Sequence, residues 1–175
     1  RSSDLSILEE ELFKRQLETD ASSATGIIIN PQNGEILAIA STPGFNNNLF
    51  NNSDPTYHRI KAITDQFEPG STYKVVSAIS ALYNNKIYPN QEFNCENGEY
   101  QYYTVPIRDH KKHAILSASQ IIQHSSNIGI VKIIEKVGPK ILYNTSREFG
   151  FGSKTGIKLD GEIKGTLTPF VNWRA

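Results

Sequence analysis

One stretch constrains this chain more than any other. From Thr72 to Asn84, Val75, Val76, Ala78, Ile79, Ala81, Leu82 and Tyr83 make a helix apolar on nearly every side. Such a helix is expected to be buried, so other elements must wrap it. Phe67-Glu68-Pro69-Gly70 reads as the turn before it, because Pro fixes φ and Gly frees it. The helix then begins at or just after Ser71. Ser71 and Lys74 stand three positions apart, one turn from each other on one face. A hydroxyl at a helix N-terminus meets unpaired N–H groups, which favour a developing negative charge. Downstream, Ser125-Ser126-Asn127 adds another hydroxyl and a carboxamide. Together these are the parts of a serine acyl-transferase: a nucleophile, a basic amine and polar groups to steer protons.

The rest of the chain supplies a frame. Asp4 to Thr19 reads as a helix with Leu5, Leu8, Leu12 and Phe13 on one face and capping-box spacing between Ser6 and Glu9. Thr25–Asn30 and Glu35–Ser41 are apolar and β-branched, joined by Pro31-Gln32-Asn33-Gly34, which predicts a hairpin. Pro43 to Tyr57 is Asn-rich and expected to be a solvated loop. Residues Ile87 to His113 are mixed and turn-rich. Ser117 and Gln120 have capping-box spacing and open a short helix, which Ser125-Ser126-Asn127 breaks. Ile128–Val137 continues helically. Gly138-Pro139 stops that element and starts another, which ends at Gly150 as a C-cap.

Composition narrows the function classes. At 175 residues the chain fits one domain with a real core, and 38% hydrophobic content suits a globular protein. A formal net charge of zero argues against a nucleic-acid partner, which usually demands a basic excess. No run is long and apolar enough to cross a membrane. The chain starts at Arg1 and contains no Met, so it is expected to be a piece of a longer protein whose membrane anchor would lie outside it. A single Cys95 forms no internal disulfide and is expected to be a packed thiol. His110-Lys111-Lys112-His113 lacks a nearby acidic or Cys ligand, so a solvated loop is expected there. Gly150-Phe151-Gly152-Ser153-Lys154-Thr155 lacks the adjacent Gly-Lys and the preceding strand of a phosphate loop. No cofactor and no metal are expected.

The S-x-x-K and S-x-N pair resembles the motifs of the penicillin-binding proteins and serine β-lactamases. The likeness extends past the motifs. Thr25-Gly26-Ile27-Ile28-Ile29-Asn30-Pro31-Gln32-Asn33-Gly34-Glu35-Ile36-Leu37-Ala38 resembles the opening hairpin of the transpeptidase domain. Lys61 to Gly70 resembles the approach to its nucleophile. Phe149-Gly150-Phe151-Gly152, Thr155-Gly156 and Gly161-Glu162 resemble the stretch after its S-x-N helix. The wording around Ser71 is similar to the monofunctional class B branch, of division or elongation type.

This resemblance implies an α+β, β-lactamase/transpeptidase-like fold: a helical subdomain plus an incomplete antiparallel sheet with an unpaired strand edge. It implies that residues 1–175 are a partial transpeptidase domain. Its N-terminal helix and hairpin would occupy 1–45, and a mainly helical part over 46–175 would carry both motifs. Ser71 would form the acyl-enzyme, Lys74 would act as base or electrostatic activator, and Ser125 would relay the proton. Asn127 would hydrogen-bond Lys74 or the substrate amide, with Ser126 and Glu68 also at the substrate. The implied ligands are peptidoglycan stem peptides and β-lactam antibiotics. Divisome or elongasome proteins are possible partners, and the implied place is the extracytoplasmic face of a bacterial inner membrane.

One departure bears on activity. The family has a third motif, Lys-Thr-Gly or a variant, on a strand far downstream. Lys154-Thr155-Gly156 lies close behind Asn127 and a Gly-Phe-Gly turn, and is expected to be a surface-loop coincidence. The chain would then lack one oxyanion donor and be weak or inactive alone. Three other readings stand beside transpeptidation. A β-lactamase of the commonest class needs a Glu that activates water and an Asn four residues on. Glu162 is in place, but position 166 is Thr. A β-lactam sensor domain shares the first motif, and a non-catalytic scaffold fragment in cell-wall assembly would need neither.

Overall fold

A computed structural model describes residues 2–173, so residues 1, 174 and 175 of the expected 1–175 domain lie outside the described residues. The chain divides into two units. One is Arg1–Gln66 with Gly156–Ile163, and the other is Phe67–Thr155 with Lys164–Ala175.

In the first unit, helix α1 (Ser2–Thr19) lies across an antiparallel hairpin of β1 (Ala24–Ile29) and β2 (Ile36–Thr42). The helix starts earlier than the Ser6 spacing suggests, so Ser6 is an ordinary helical residue. Its inward face is Leu8, Leu12 and Gln16, at intervals of four. Leu5 and Phe13 point outward, with Phe13 57% exposed, which corrects the expected face. The helix rides so close to the hairpin that a Cβ on Gly26 would come within 2.8 Å of Leu8 Cδ1. Gln16 fastens the far end by accepting from Thr42 Oγ1 at 2.8 Å. The hairpin turn closes as its residues dictate. Gly34 adopts φ +74°, and the Asn30 and Asn33 side chains accept from the N–H groups of Gln32 and Glu35.

Ala38, Ala40 and Thr42 are buried, while Ile27, Ile29 and Ile36 stay exposed. Among the described residues no third strand joins β1 or β2, so both outer edges of the pair are open. The loop that follows is more ordered than its Asn content suggests. It holds 3₁₀ turns at Asn47–Asn52 and Pro55–Tyr57, capped by the side chains of Asn46 and Asp54. Phe45, Phe50 and His58 stack together beneath them. A single turn, α2 (Lys61–Thr64), closes this part.

The second unit is built around α3 (Tyr73–Tyr83), preceded by a 3₁₀ turn over Gly70–Thr72. Three short strands and a fourth come next: β3 (Glu92–Asn94), β4 (Glu99–Tyr102), β5 (Val105–Arg108) and β6 (Ile115–Ser117). They pair as β3–β6 and β4–β5, two small antiparallel ribbons in the stretch expected to be merely turn-rich. Then come α4 (Ala118–Gln123), α5 (Asn127–Val137) and α6 (Pro139–Glu148). The capping box at Ser117 and Gln120 forms in full. Gly138 joins α5 to α6 at φ +78°, and Pro139 opens α6.

The core gathers Ala81, Phe93, Cys95, Leu116, Ile121, Ile128, Ile133, Val137 and Leu142. Cys95 is fully buried, and burial pushes its thiol pKa up. Phe170 and Trp173 pack against Tyr143. The helix α3 corrects one expectation. It is buried on one side only, through Val76, Ser77, Ala78, Ser80 and Ala81. Val75, Ile79, Leu82 and Tyr83 are exposed. Small residues, not large ones, face the neighbouring helices, so the helices approach closely and the bulky side chains are left outside.

Gly129 shows how tight that packing is. A Cβ there would fall 2.4–2.9 Å from three carbons of Ile121, itself fully buried. A helix interior gains about 1 kcal/mol from Gly→Ala, but overpacking costs about 1–3 kcal/mol. Gly129→Ala is therefore expected to destabilise the protein despite its better helix propensity, measured as a lower urea midpoint at unchanged slope.

Candidate active site

The 3₁₀ turn and α3 set Ser71 and Lys74 on one face, as their spacing requires. Ser71 sits in the turn Gly70–Thr72, whose Gly70 adopts φ +58°. Just behind it, Tyr73 anchors the start of the helix. Its ring meets Phe151 edge-on at 5.2 Å, and its hydroxyl bonds the fully buried Ser146. Ser146 in turn donates to the Leu142 carbonyl at 2.7 Å. The turn that holds Ser71 is thus tied to α6.

The Ser125–Asn127 turn comes to Lys74 across more than fifty residues of sequence. Lys74 Nζ donates to the Ser125 carbonyl at 2.6 Å, to Ser125 Oγ at 3.0 Å and to Asn127 Oδ1 at 2.7 Å. An ammonium carries three N–H donors, and here each finds an acceptor. The turn can do this because Ser125 takes φ +54°, the left-handed region that a non-glycine residue rarely occupies. That conformation brings the carbonyl and the hydroxyl of one residue to the same amine. Burial of Lys74 lowers its pKa below the usual lysine value, and the Asp109 carboxylate partly restores it.

The other expected site residues fare differently. Ser126 is 2% exposed and caps α5. Its hydroxyl accepts from the Gly129 N–H at 2.9 Å and donates to Asp109 Oδ2 at 2.6 Å. Asn127 is exposed, with Oδ1 on Lys74 and Nδ2 donating to the Arg108 carbonyl at 2.8 Å. Glu68 is exposed ahead of the turn, and among the described residues no hydrogen bond or ion pair ties it to Lys74, Ser125 or Asn127. Lys154-Thr155-Gly156 lies in irregular chain, not on a strand. Glu162 accepts from the Gly156 N–H at 3.3 Å. His113 stacks on His124 at 4.7 Å rather than lying free in solvent, and the described residues contain no group of three or more potential metal ligands.

Sequence reasoning missed Asp109. It follows β5 in the stretch read as turn-rich, eighteen residues before Asn127, and no spacing rule links the two. The one available signal was an acidic residue one position beyond the short apolar run Val105-Pro106-Ile107, after Arg108.

The chain resembles known proteins over nearly all its length. A family model for the penicillin binding protein transpeptidase domain matches residues 24–175. Stage V sporulation protein D of Bacillus subtilis is 32% identical over 166 residues, which are 93% of this chain and 26% of that protein. Peptidoglycan D,D-transpeptidase FtsI of Escherichia coli is 30% identical over 153 residues, 87% of this chain and 26% of that one. The chain thus spans about a quarter of the length of these relatives. The transpeptidase domain of Burkholderia pseudomallei penicillin-binding protein 3 superposes with a TM-score of 0.85 at 28% identity, covering 99% of this chain and 48% of that structure. The described α+β arrangement of helices and small antiparallel ribbons therefore has a solved counterpart, and the chain belongs to the penicillin-binding protein transpeptidase domain family, related to its class B branch.

Proposed function

We propose that this chain carries the nucleophile half of a serine D,D-transpeptidase, with the acyl-enzyme on Ser71. The observation that carries this reading is the triply bonded Lys74, one turn from Ser71. Two of its three acceptors, the Ser125 carbonyl and Asn127 Oδ1, can only accept. Ser125 Oγ alone can reverse its role. When the amine is neutral, two hydrogens hold the acceptor-only partners and the lone pair is left for a hydroxyl.

The steps follow from that asymmetry. Neutral Lys74 takes the Ser71 Oγ proton as Oγ bonds to the acyl carbonyl carbon. The carbonyl oxygen becomes an oxyanion facing the Ser71 N–H at the helix start. Lys74 then returns a proton to Ser125 Oγ, whose own proton passes to the leaving nitrogen as the C–N bond breaks. Lys74 is neutral again, and an ester remains on Ser71. Attack by an acceptor amine would run the same transfers in reverse. Asn127 orients Lys74 and offers its face to the substrate backbone, with Glu68 at the groove's approach. Ser126 supports the turn from within.

The substrates would be peptidoglycan stem peptides, with β-lactams as acylating inhibitors. The parent protein would act at the extracytoplasmic face of the membrane with division or elongation partners. Among the described residues no helix is long and apolar enough to cross a membrane. A third-motif strand would supply the second oxyanion donor in the family, and Lys154-Thr155-Gly156 lies in irregular chain. A missing donor costs roughly 2.7–4 kcal/mol, about a hundred- to thousandfold in rate. Slow acylation by this chain alone is the consequence.

Two outcomes test the reading. Incubation with benzylpenicillin is expected to add the whole mass of the drug, by ring opening onto Ser71, and Ser71→Ala should show no gain on intact-protein mass spectrometry. An adduct that survives in Ser71→Ala would sink it. Acylation should also rise with pH as Lys74 loses its proton, over a range below that of an ordinary lysine because burial lowers the pKa. Lys74→Arg keeps the charge but cannot give it up, and should cut the acylation rate by about 10²–10⁴. A pH profile that stays flat until free lysines ionise would remove Lys74 as the base.

A further inference from the structure

We propose that Asp109, together with the Arg108 carbonyl, is the positioning element of this site: it clamps the Ser126-Asn127 turn and places a carboxylate next to Asn127, the residue whose Oδ1 holds Lys74. The proposal rests on reading Lys74 as the base.

The geometry is specific. Asp109 Oδ2 accepts from Ser126 Oγ at 2.6 Å. Oδ1 accepts from the N–H groups of Asn127 and, at 3.1 Å, Ile128. These are the first residues of α5, whose N–H groups have no partners within the helix. Three donors converge on the two oxygens, which suits the acceptor-only form of a carboxylate. The helix N-terminus favours that charge. Asp109 is itself held by its own N–H on the Gly98 carbonyl at 3.1 Å.

One residue earlier, the Arg108 carbonyl accepts from Asn127 Nδ2. That bond fixes which way the carboxamide points. The amino side is committed to Arg108, so the oxygen must face Lys74. Two consecutive residues at the end of β5 therefore settle the backbone and the side chain of Asn127 together.

The charge reaches further than the hydrogen bonds. Burial, the larger cause, lowers the Lys74 pKa, and the Asp109 carboxylate raises it. The helices packed on α3 offer no rival. α4 carries no charge, and on α5 Lys132 pairs with Glu96 while Lys136 lies over the Phe93 ring and Glu135 acts on Tyr102. On α6, Arg147 is bound to the Phe151 and Gly152 carbonyls, and the other charged residues there are Lys140 and Glu148. Burial drives the amine towards neutrality, and Asp109 opposes it. The carboxylate thus tempers the lowering that burial causes, without touching substrate.

The test is a ¹³C NMR titration of the lysine ε-carbons, with Lys74 assigned through Lys74→Arg. The wild-type Lys74 midpoint should lie below that of an ordinary lysine. In Asp109→Asn it should move lower still, and the acid limb of penicillin acylation should move with it, while Lys136 is unchanged. A merely structural aspartate would not shift a distant amine's midpoint selectively, so an unmoved Lys74 in a folded Asp109→Asn overturns the proposal. A wild-type Lys74 that titrates like free lysine would instead defeat the assignment of the base. Should Asp109→Asn fail to fold, the wild type still decides. The amide protons of Asn127 and Ile128 should shift together as the carboxylate takes up its proton at acid pH, and amides that stay put overturn the clamp.

Discussion

A single amine organises the site. Lys74 has three hydrogens, and the Ser125–Asn127 turn presents three oxygens to them. Burying a cation without such partners is costly, and the usual outcome is loss of the proton. Here the balance is held between the two states. The acceptors favour the ammonium, while burial favours the amine and lowers the Lys74 pKa. Everything around the pair keeps that balance in register. Tyr73 and Ser146 fix the start of α3, and the close contact of Gly129 with Ile121 lets α4 and α5 meet at the turn between them. Asp109 holds α5 by its first N–H groups, which have no partner within the helix.

The packing that achieves this is built from small side chains. Ser77, Ala78, Ser80 and Ala81 line the buried side of α3. Their size allows close helix approach, and their hydroxyls bond both within the helix and across to α6. Ser80 Oγ, for instance, accepts from Thr145 Oγ1 at 3.3 Å. A helix that presents its smallest residues to its neighbours transmits little slack, which suits a residue whose amine must meet three acceptors within 3.0 Å.

Much of this was legible in the sequence, for identifiable reasons. The hairpin was carried by β-branched runs around an Asn-Gly turn, the α4 cap by Ser117 and Gln120, and the α5–α6 break by Gly138-Pro139. These are local signals, and each was read from a few adjacent residues. The meeting of Lys74 with Ser125 and Asn127 was expected from family resemblance, since no local rule joins residues fifty positions apart. What stayed hidden was of two kinds. Helix faces were misjudged at α1 and α3, because hydrophobicity ranks Phe13 and Val75 above Gln16 and Ser77 although the structure buries the smaller or more polar residue. Asp109 was missed because an acidic side chain that caps a helix from a separate ribbon leaves no periodic trace. The short ribbons that carry it, three or four residues per strand, are too brief to show alternation.

The left-handed backbone of Ser125 places two demands on one position. Glycine would adopt φ +54° without cost, and Asn tolerates it better than most. Neither supplies a hydroxyl. Serine supplies one and accepts a conformation that costs about 1–3 kcal/mol. The turn is therefore a place where the residue best for folding and the residue that gives Lys74 a hydroxyl partner differ. A search for more stable variants that ignored chemistry would settle on glycine here, and would select a well-folded protein with no side-chain hydroxyl beside Lys74.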